Sequence, residues 1–348
     1  MKEPFIWDNY SDQPYPIKDK KYKNSLRVKN LFNYLKNFIT TLLLLPFIII
    51  VMPFTKAKKL PNKNFYGMGV DISKGAIQKE LINELGIKNL LIRVPLWHID
   101  RVDEYIEFAK SFGSDKNILI NILQDREHIE DLKLLEKDIN IIFNKFQNIT
   151  NEFQVANAIN RTKWGFFSVD EYLKYYETIQ ILRDTCYPNI KLIGSSVIDF
   201  EPHITIRTLY NLFKVRYDIF STLLYVDRRG APTNKQMLIF DTKRKIDLIY
   251  TMVKLSPKSN NSIYITEVNW PLSNTAPYAP TSETECVNQK SYTKYMLEFY
   301  NIAKESNKID RVYWHQLIAP GYGLVDNRDG IKKREAFYEY KRMINENN

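Results

Sequence analysis

The chain has 348 residues, of which 44% are apolar and 14% aromatic, and its formal net charge is +10. This apolar content is enough for a sizeable folded core and excludes an intrinsically disordered chain. The positive charge would suit a nucleic acid, but the sequence has no zinc-ligand spacing, no aromatic RNA-binding signature and no block of basic residues in its folded part. We therefore expect no nucleic-acid partner.

The amino-terminal region has the pattern of a membrane anchor. An uncharged run of 17 residues, FITTLLLLPFIIIVMPF, extends from Phe38 to Phe54 and is at the short limit for crossing a hydrocarbon layer. The tail before it is basic, with Lys18, Lys20, Lys21, Lys23, Arg27, Lys29 and Lys36. No small-x-small cleavage site follows the run, which disfavours a cleaved signal peptide.

The distribution of charge around this run predicts a topology. Fewer basic residues follow the run than precede it, so by the positive-inside rule residues 1–37 form a cytoplasmic tail. We expect a single-pass protein of the inner membrane, with a membrane segment at 38–54, a linker at 55–63 and a folded domain at 64–348 that faces the periplasm. The difference in basic residues between the two sides of the run is modest. The alternative is therefore an interfacial anchor that exposes the folded domain on the opposite side of the membrane.

After the linker, short apolar runs alternate with longer stretches of 3.6-residue periodicity. The predicted strands are residues 65–72, 89–97, 117–123, 152–159, 190–198, 219–226, 262–270 and 311–318. Predicted helices lie between them, among them one over residues 127–146. This alternation predicts an α/β fold, a (β/α)8 TIM barrel preceded by one membrane segment. The alternative, an open doubly wound sheet, would need a glycine-rich phosphate turn that VDISKGAIQKE lacks.

A barrel of this type carries its chemistry at the carboxyl ends of its strands. The strongest candidate there is Glu267 in YITEVNWP, because a carboxylate that ends an apolar strand is costly to bury unless it is paired or used chemically. A structural salt bridge is the alternative. HxH and HExxH spacings are absent from the sequence, so we expect no metal and no cofactor. Cys186 and Cys286 are predicted at opposite rims of the barrel, as two unpaired thiols.

At these strand ends the chain resembles the retaining glycoside hydrolases of clan A, over residues 64–344 by strand order. The resemblance implies that Glu267 is the nucleophile at the end of strand seven, held by Tyr225 in TLLYVD and oriented by Arg93 in LLIRVPLW. It also implies sugar-binding roles for Asn157 in VANAIN, at the end of strand four, and for Trp314 in VYWHQL, at the end of strand eight.

The sequence departs from that family at Ala158, where the resemblance implies an acid/base Glu after Asn157. In a retaining mechanism two carboxyl groups about 5 to 5.5 Å apart divide the work, and a methyl group cannot donate a proton. Three explanations are open. Another rim group supplies the proton, with Glu201, Asp199 and His203 as candidates; the substrate needs little acid assistance; or a partner subunit supplies the chemistry.

Arginines at the strand ends favour an acidic sugar as substrate. Arg93, Arg161, Arg228 and Arg229 fall there, and guanidinium groups bind carboxylates in bidentate geometry. Trp270 is an aromatic rim residue of the kind that packs on a sugar face. A basic, membrane-anchored barrel of this kind is similar to the smaller subunits of two-component Kdo hydrolases, which remove an acidic 3-deoxy-ulosonic sugar from lipopolysaccharide.

The resulting hypothesis is a glycoside hydrolase that acts on an acidic cell-envelope glycan. Its candidate catalytic residues are Glu267 and Glu201, and its candidate substrate-binding residues are Arg93, Asn157, Arg161, Tyr225, Trp270 and Trp314. The implied partners are lipopolysaccharide or another envelope glycan, the membrane, and a partner hydrolase subunit. Two alternatives stay open: a catalytically silent glycan-binding or anchoring subunit whose partner supplies the acid, and a small-molecule lyase or isomerase on the same barrel.

Overall fold

The computed structural model describes residues 6–57 and 64–346, and eight parallel strands of its larger part close into a barrel. The strands are β1 (Tyr66–Val70), β2 (Asn89–Pro95), β3 (Asn117–Leu123), β4 (Glu152–Val155), β5 (Lys191–Ile198), β6 (Ile219–Leu223), β7 (Ile263–Val268) and β8 (Arg311–Trp314). Each strand pairs with the next along the chain, and β8 closes the barrel against β1, with Val312 opposite Tyr66. The predicted barrel is confirmed, and the open doubly wound sheet is excluded.

Helices precede the barrel and follow each of its strands. They are α1 (Lys20–Lys29), α2 (Leu31–Val51), α3 (Ile77–Leu85), α4 (Val102–Ser111), α5 (Arg126–Glu130), α6 (Leu132–Phe146), α7 (Val169–Cys186), α8 (Pro202–Leu209), α9 (Thr242–Leu255), α10 (Gln289–Glu305) and α11 (Glu335–Asn345). The single helix predicted over 127–146 is divided at Asp131, because the Asp131 side chain accepts hydrogen bonds from the backbone of Lys133 and Leu134 and so begins α6.

Alternation of side chains along the strands divides the core into two layers. An inner layer fills the barrel and consists of Leu91, Leu119, Ile193, Ile219, Tyr264 and Tyr313. A larger outer layer packs between the strands and the helices and includes Trp314, the neighbour of Tyr313. At the amino-terminal end of the strands, Arg311 and Glu152 form a salt bridge of 3.0 Å. The opposite end, where the strands finish, is the mouth of the barrel.

Residues 7–14 lie across this mouth. We call Trp7–Pro14 the mouth segment; its two ends, Trp7–Asp8 and Gln13–Pro14, pair as a short antiparallel ladder. The Gln13 side chain donates to the Pro280 carbonyl at 3.0 Å and accepts from Lys163 Nζ at 2.5 Å. Both of these partners belong to loops of the barrel. The mouth segment is therefore attached to the folded domain.

The apolar run forms a helical stretch that is longer than predicted. It covers Leu31–Phe54, 24 residues, and is long and apolar enough to be a candidate membrane segment. Ile48 is buried in the main core of the barrel, so one side of the helix packs on the folded domain. Large apolar side chains are exposed elsewhere along it: Leu31, Phe32, Leu35, Phe38, Ile39, Leu42, Leu43, Phe47, Ile50 and Phe54.

Both ends of this helical stretch contact the barrel. Near its start, Lys36 forms a salt bridge of 3.1 Å with Asp170 in the first turn of α7, which begins at the mouth. Beyond its end, the carbonyl oxygen of Lys56 accepts a hydrogen bond of 3.4 Å from the Tyr250 hydroxyl in the second half of α9, toward the opposite end of the barrel. The helix therefore runs along the length of the barrel, on its outer surface.

Candidate active site

Glu267 lies at the end of β7, and two donors hold its carboxylate. The Tyr225 hydroxyl donates to Oε1 at 2.5 Å, and Arg93 Nη2 donates to Oε2 at 2.6 Å. Tyr225 follows β6 and Arg93 lies within β2, so three separate strands deliver these groups to one point. Only 7% of Glu267 is exposed. The structure thus brings together the three residues that the resemblance assigns to the nucleophile and its supports.

The surroundings of Glu267 favour its ionised form. Burial by itself would raise the pKa, but His315 when protonated, the Arg93 guanidinium, and the hydrogen bonds from Tyr225 and Arg93 outweigh burial and lower the pKa of Glu267 to about 2. Glu267 is therefore a carboxylate at neutral pH. A buried carboxylate that keeps its charge is suited to act as a nucleophile or to stabilise a positive transition state.

His315 lies beside this carboxylate and is itself uncharged at neutral pH. Burial, together with the positive charge of Arg93, lowers the pKa of His315 to about 3. Its imidazole stacks on the ring of Tyr322, with ring centroids 5.6 Å apart and an interplanar angle of 15°. At neutral pH the positive charge next to Glu267 consequently comes from Arg93.

A second group of charges lies after β4 and β5. Arg161 Nη2 donates to Asp199 Oδ2 at 2.6 Å, and its Nη1 donates to Glu201. The Arg229 guanidinium lies 3.6 Å from the centre of the Tyr225 ring and donates to Asp199 Oδ1 at 3.4 Å. Both carboxylates therefore accept hydrogen bonds from guanidinium groups, and Asp199 accepts from two of them.

The mouth segment reaches the same site through Asp12. Its carbonyl oxygen accepts a hydrogen bond of 3.0 Å from Arg93 Nη1, so a single guanidinium joins Asp12 to Glu267. Its carboxyl group accepts from the Tyr322 hydroxyl at 2.7 Å and lies 3.7 Å from Lys74 Nζ. Asp12 is 7% exposed, which is the same fraction as Glu267. A residue outside the barrel therefore forms part of the wall of the site.

The mouth segment separates two cavities. One has a volume of about 240 Å³ and is lined by Glu267, Asp12, Arg161, Lys163 and His315, among others. The other, of about 770 Å³, lies on the side of β1 and β2. Asp12 and Arg93 line both. The smaller cavity is just below the usual range for ligand pockets, which starts at about 300 Å³, and is of a size for a small sugar unit.

Ala158 lies at the same end of the barrel, inside an apolar cluster. The cluster consists of Leu123, Ala158, Trp164, Leu223 and Tyr225, and Trp7 of the mouth segment packs against it. The Trp7 ring lies 5.4 Å from that of Trp97 and 5.7 Å from that of Trp164. An indole from the mouth segment thus covers the cluster that contains the position where the resemblance implies a carboxyl group.

Two predicted sugar-binding residues lie away from the cavity. Trp270 and Trp314 are fully buried in the outer layer of the core, where their rings stack with centroids 6.1 Å apart. The Trp314 indole N–H donates to the Tyr292 hydroxyl at 3.2 Å. Because Tyr313 points into the barrel, the alternation of the strand turns Trp314 toward the helices and His315 toward the site.

Asn157 is also buried beneath the site. Its Oδ1 accepts from Asn121 at 3.2 Å, and its backbone N–H donates to the Gln124 side chain at 2.9 Å. These bonds connect the ends of β3 and β4. In this structure Asn157 therefore joins two strands, and the predicted contact with a sugar hydroxyl remains a prediction.

The carboxylates around the cavity are not arranged for a metal ion. Within residues 6–57 and 64–346, no group of three or more His, Cys, Asp or Glu side chains could hold one. Glu267 and Asp199 instead accept hydrogen bonds from guanidinium groups, and Asp12 accepts one from a phenol.

Sequence reasoning did not identify Asp12 or Tyr322 as residues of the site. Asp12 lies in WDNYSDQPYP, which has neither helical nor strand periodicity and was grouped with the basic tail. Tyr322 lies in the turn APGYG after β8. One signal was available: residues 7–16 are aromatic and acidic, whereas the basic stretch begins only at Lys18.

Comparison with known proteins gives similarity at the level of fold. No family model and no curated protein matches the chain. A monomeric β-xylosidase from Caulobacter crescentus CB15 has a TM-score of 0.60 and 11% identity, over 83% of this chain and 69% of that one. The GH39 enzyme from Xanthomonas axonopodis pv. citri has a TM-score of 0.59 and 13% identity, over 83% and 68%. The virulence factor SghA from Agrobacterium tumefaciens has a TM-score of 0.58 and 8% identity, over 82% and 97%.

The domain has a glycoside-hydrolase-like fold. Further similar structures include a family 51 α-L-arabinofuranosidase and a family 5 xyloglucanase, so the likeness extends over several glycoside hydrolase families. Identities this low establish the fold alone, and the chemistry has to be argued from the site.

The buried neutral His315 should make the protein sensitive to acid. A histidine whose pKa falls from 6.5 to about 3 on folding contributes stability above pH 6.5 that is lost as the pH falls toward 3. At pH 4 the loss from this group is about 3 kcal/mol. We expect His315→Gln to lose less stability than the wild type between pH 7 and 4 in urea unfolding. The exposed His203→Gln is the control; an equal loss in all three proteins would contradict the assignment.

A carboxyl group at position 158 should destabilise the fold. The side chain of Ala158→Glu would be buried among Leu123, Leu223 and Tyr225, so we expect a loss of about 3 kcal/mol or more in the free energy of unfolding. Ala158→Gly is the matched control, because glycine accepts the backbone φ of 46° at this position without strain. Stability of the Glu variant equal to that of the Gly variant would show that position 158 opens to solvent.

Proposed function

We propose that this protein is a glycoside hydrolase that removes an acidic sugar from a cell-envelope glycan. The observation that supports the proposal most is the ionised Glu267 carboxylate, fixed by Tyr225 and Arg93 at the end of β7 in a glycoside-hydrolase-like barrel. A carboxylate that is fixed and desolvated beside a cavity of sugar size can attack an anomeric carbon, or stabilise the positive charge that develops there.

The cationic groups of the cavity support an acidic sugar. Arg161, Lys163 and Arg229 line the cavity that contains Glu267. Lys163 donates to the neutral Gln13 side chain, whereas Arg229 lies over the Tyr225 ring and forms a salt bridge of 3.4 Å with Asp199. A sugar carboxylate would find donors here with Glu267 nearby. We propose a 3-deoxy-ulosonic sugar of the Kdo type, in lipopolysaccharide, as the substrate to be tested first.

A second candidate function is a catalytically silent subunit that binds the glycan while a partner subunit supplies the acid. The apolar cluster around Ala158 supports it, because the barrel places a methyl group where the resemblance implies a proton donor. Under this proposal Glu267 and the cationic groups bind the sugar and do not turn it over.

We also propose that α2 holds the barrel at a membrane. Its exposed apolar side chains would enter a bilayer, and the basic residues of α1 would face anionic headgroups. The contacts of the mouth segment with the barrel favour an interfacial arrangement, in which tail and barrel lie on the same side. The single-pass arrangement, with the tail in the cytoplasm and the barrel in the periplasm, would require the mouth segment to leave Arg93 and Tyr322.

Replacing the nucleophile should abolish turnover. We expect Glu267→Gln to release Kdo from purified lipopolysaccharide at least about a thousandfold more slowly than the wild type, because the amide cannot form the glycosyl–enzyme bond. Mass spectrometry of the glycan measures the sugar lost.

The matched control for this variant is Glu152→Gln, which alters another salt-bridged Glu that is partly buried at the opposite end of the barrel. Undiminished sugar release by folded Glu267→Gln would refute the enzyme proposal. Binding of lipopolysaccharide by a wild type that releases no sugar would support the silent subunit.

Labelling of single cysteines should distinguish the two membrane arrangements. Cys186 is a free, exposed thiol at the end of α7, as predicted, and in a chain with Cys286→Ser it reports on the barrel. Asn24→Cys, at an exposed position of α1 in a chain with Cys186→Ser and Cys286→Ser, reports on the tail. In spheroplasts we expect both sites to react alike with a membrane-impermeant maleimide. Labelling of Cys186 with protection of the Asn24→Cys site would instead establish the single-pass arrangement.

A further inference from the structure

The mouth segment is held at the active site by contacts that are specific to it. Asp12 and Gln13 together bond to Arg93, Tyr322, Lys163 and the carbonyl oxygen of Pro280. Trp7 packs against the apolar cluster, beside Trp97 and Trp164. A segment that only passed over the mouth would not need a buried carboxyl group, which is costly to remove from water. The mouth segment therefore completes the wall of the site.

Asp12 is a second carboxyl-bearing residue of the cavity that contains Glu267. It lines the same cavity as Glu267, and the two residues bond to adjacent nitrogens of one guanidinium, Asp12 through its carbonyl oxygen and Glu267 through its carboxylate. The other candidate acids, Asp199 and Glu201, are both held by Arg161. The methyl group of Ala158 cannot donate a proton.

The surroundings of Asp12 favour its protonated form, in contrast to those of Glu267. Burial raises the pKa of Asp12 and the nearby Asp71 carboxylate adds to this effect, while Lys74, the Tyr322 hydroxyl and Arg93 oppose it. Two carboxyl groups whose surroundings shift their pKa values in opposite directions are the usual arrangement for one acid and one nucleophile.

We infer that Asp12, a residue outside the barrel, is the proton donor for the reaction at Glu267. This inference rests on the proposed glycosidase function and on the mouth segment staying on the same side of the membrane as the barrel. It gives the barrel the acid that is missing at the end of its fourth strand, and it makes the mouth segment part of the catalytic site.

The proposed reaction has two steps. In the first, a Glu267 oxygen bonds to the anomeric carbon, the bond from that carbon to the leaving oxygen breaks, and the Asp12 proton moves to the leaving oxygen. In the second, a water oxygen bonds to the anomeric carbon, the bond to Glu267 breaks, and the water gives one proton to the Asp12 carboxylate. Both groups return to their starting states.

The test compares leaving groups in the full-length protein. The methyl glycoside of Kdo needs a proton on its leaving oxygen, whereas the 4-methylumbelliferyl glycoside has a better leaving group and needs it less. We expect Asp12→Asn to lower kcat/KM for the methyl glycoside by about a hundred- to ten-thousandfold and to affect the 4-methylumbelliferyl glycoside much less. Asp115→Asn, at an exposed position before β3 and at the opposite end of the barrel, is the control and should leave both rates unchanged.

Two further measurements keep the test decisive if Asp12→Asn folds poorly. Sodium azide should restore turnover of the 4-methylumbelliferyl glycoside by Asp12→Ala and yield a glycosyl azide. Azide is an anion, so it can attack the glycosyl–enzyme without a general base to remove a proton.

The second measurement uses Tyr322→Phe. This variant loses a hydrogen bond that lowers the pKa of Asp12, so the alkaline limb of the pH profile for the methyl glycoside should move to higher pH.

Each outcome decides between defined alternatives. Equal losses on both glycosides, or no loss on either, would overturn the inference while the activity of the wild type upholds the glycosidase function. Faster turnover by Asp12→Asn would also overturn it and would identify the mouth segment as a plug. Loss of the methyl glycoside activity in Glu201→Gln, with Asp12→Asn unaffected, would assign the acid to Glu201. A wild type that cleaves neither glycoside overturns both proposals.

Discussion

The guanidinium of Arg93 is the group on which the site depends. Arg93 is 5% exposed; its Nη2 donates to Glu267 and its Nη1 donates to the Asp12 carbonyl oxygen. A charge buried this deeply is tolerated only while it is paired, and removal of one partner of such a pair typically costs about 3 to 5 kcal/mol. The guanidinium that helps to keep Glu267 ionised therefore also bonds to the mouth segment. The Arg93 side chain couples the attachment of the mouth segment to the charge state of Glu267.

Most of the barrel could be predicted from periodicity, and so could the centre of the site. Short apolar runs and 3.6-residue stretches alternate cleanly, and a carboxylate, a phenol and a guanidinium placed at the ends of β7, β6 and β2 converge once the barrel closes. Trp314 shows the limit of this reasoning. A residue at the end of a strand lies near the mouth, but successive side chains point in opposite directions. One position along the strand therefore decides whether a side chain faces the cavity or the helices. His315, the next residue, takes the inward direction.

The mouth segment could not be predicted for a different reason. Its contacts join residues such as Asp12 and Tyr322, which are 310 positions apart and belong to segments without regular structure. No local periodicity encodes such a pair, and the basic residues that follow dominate the composition of the tail. The same limit applies to Ala158. Sequence reasoning recognised that a carboxyl group was missing, but only the folded chain places Trp7 against its cluster and Asp12 beside its cavity.

The helix α2 runs from the mouth end of the barrel to the opposite end, and its exposed apolar side chains lie along this length. If this surface rests on a bilayer, the axis of the barrel lies parallel to the plane of the membrane. The opening then faces sideways, along the layer of headgroups, and not outward into the surrounding water. Glycans attached to lipids would approach by lateral diffusion in two dimensions, whereas free oligosaccharides would have to arrive from solution. An enzyme in this orientation would favour glycans that are attached to membrane lipids. This preference would act before the site contacts any sugar.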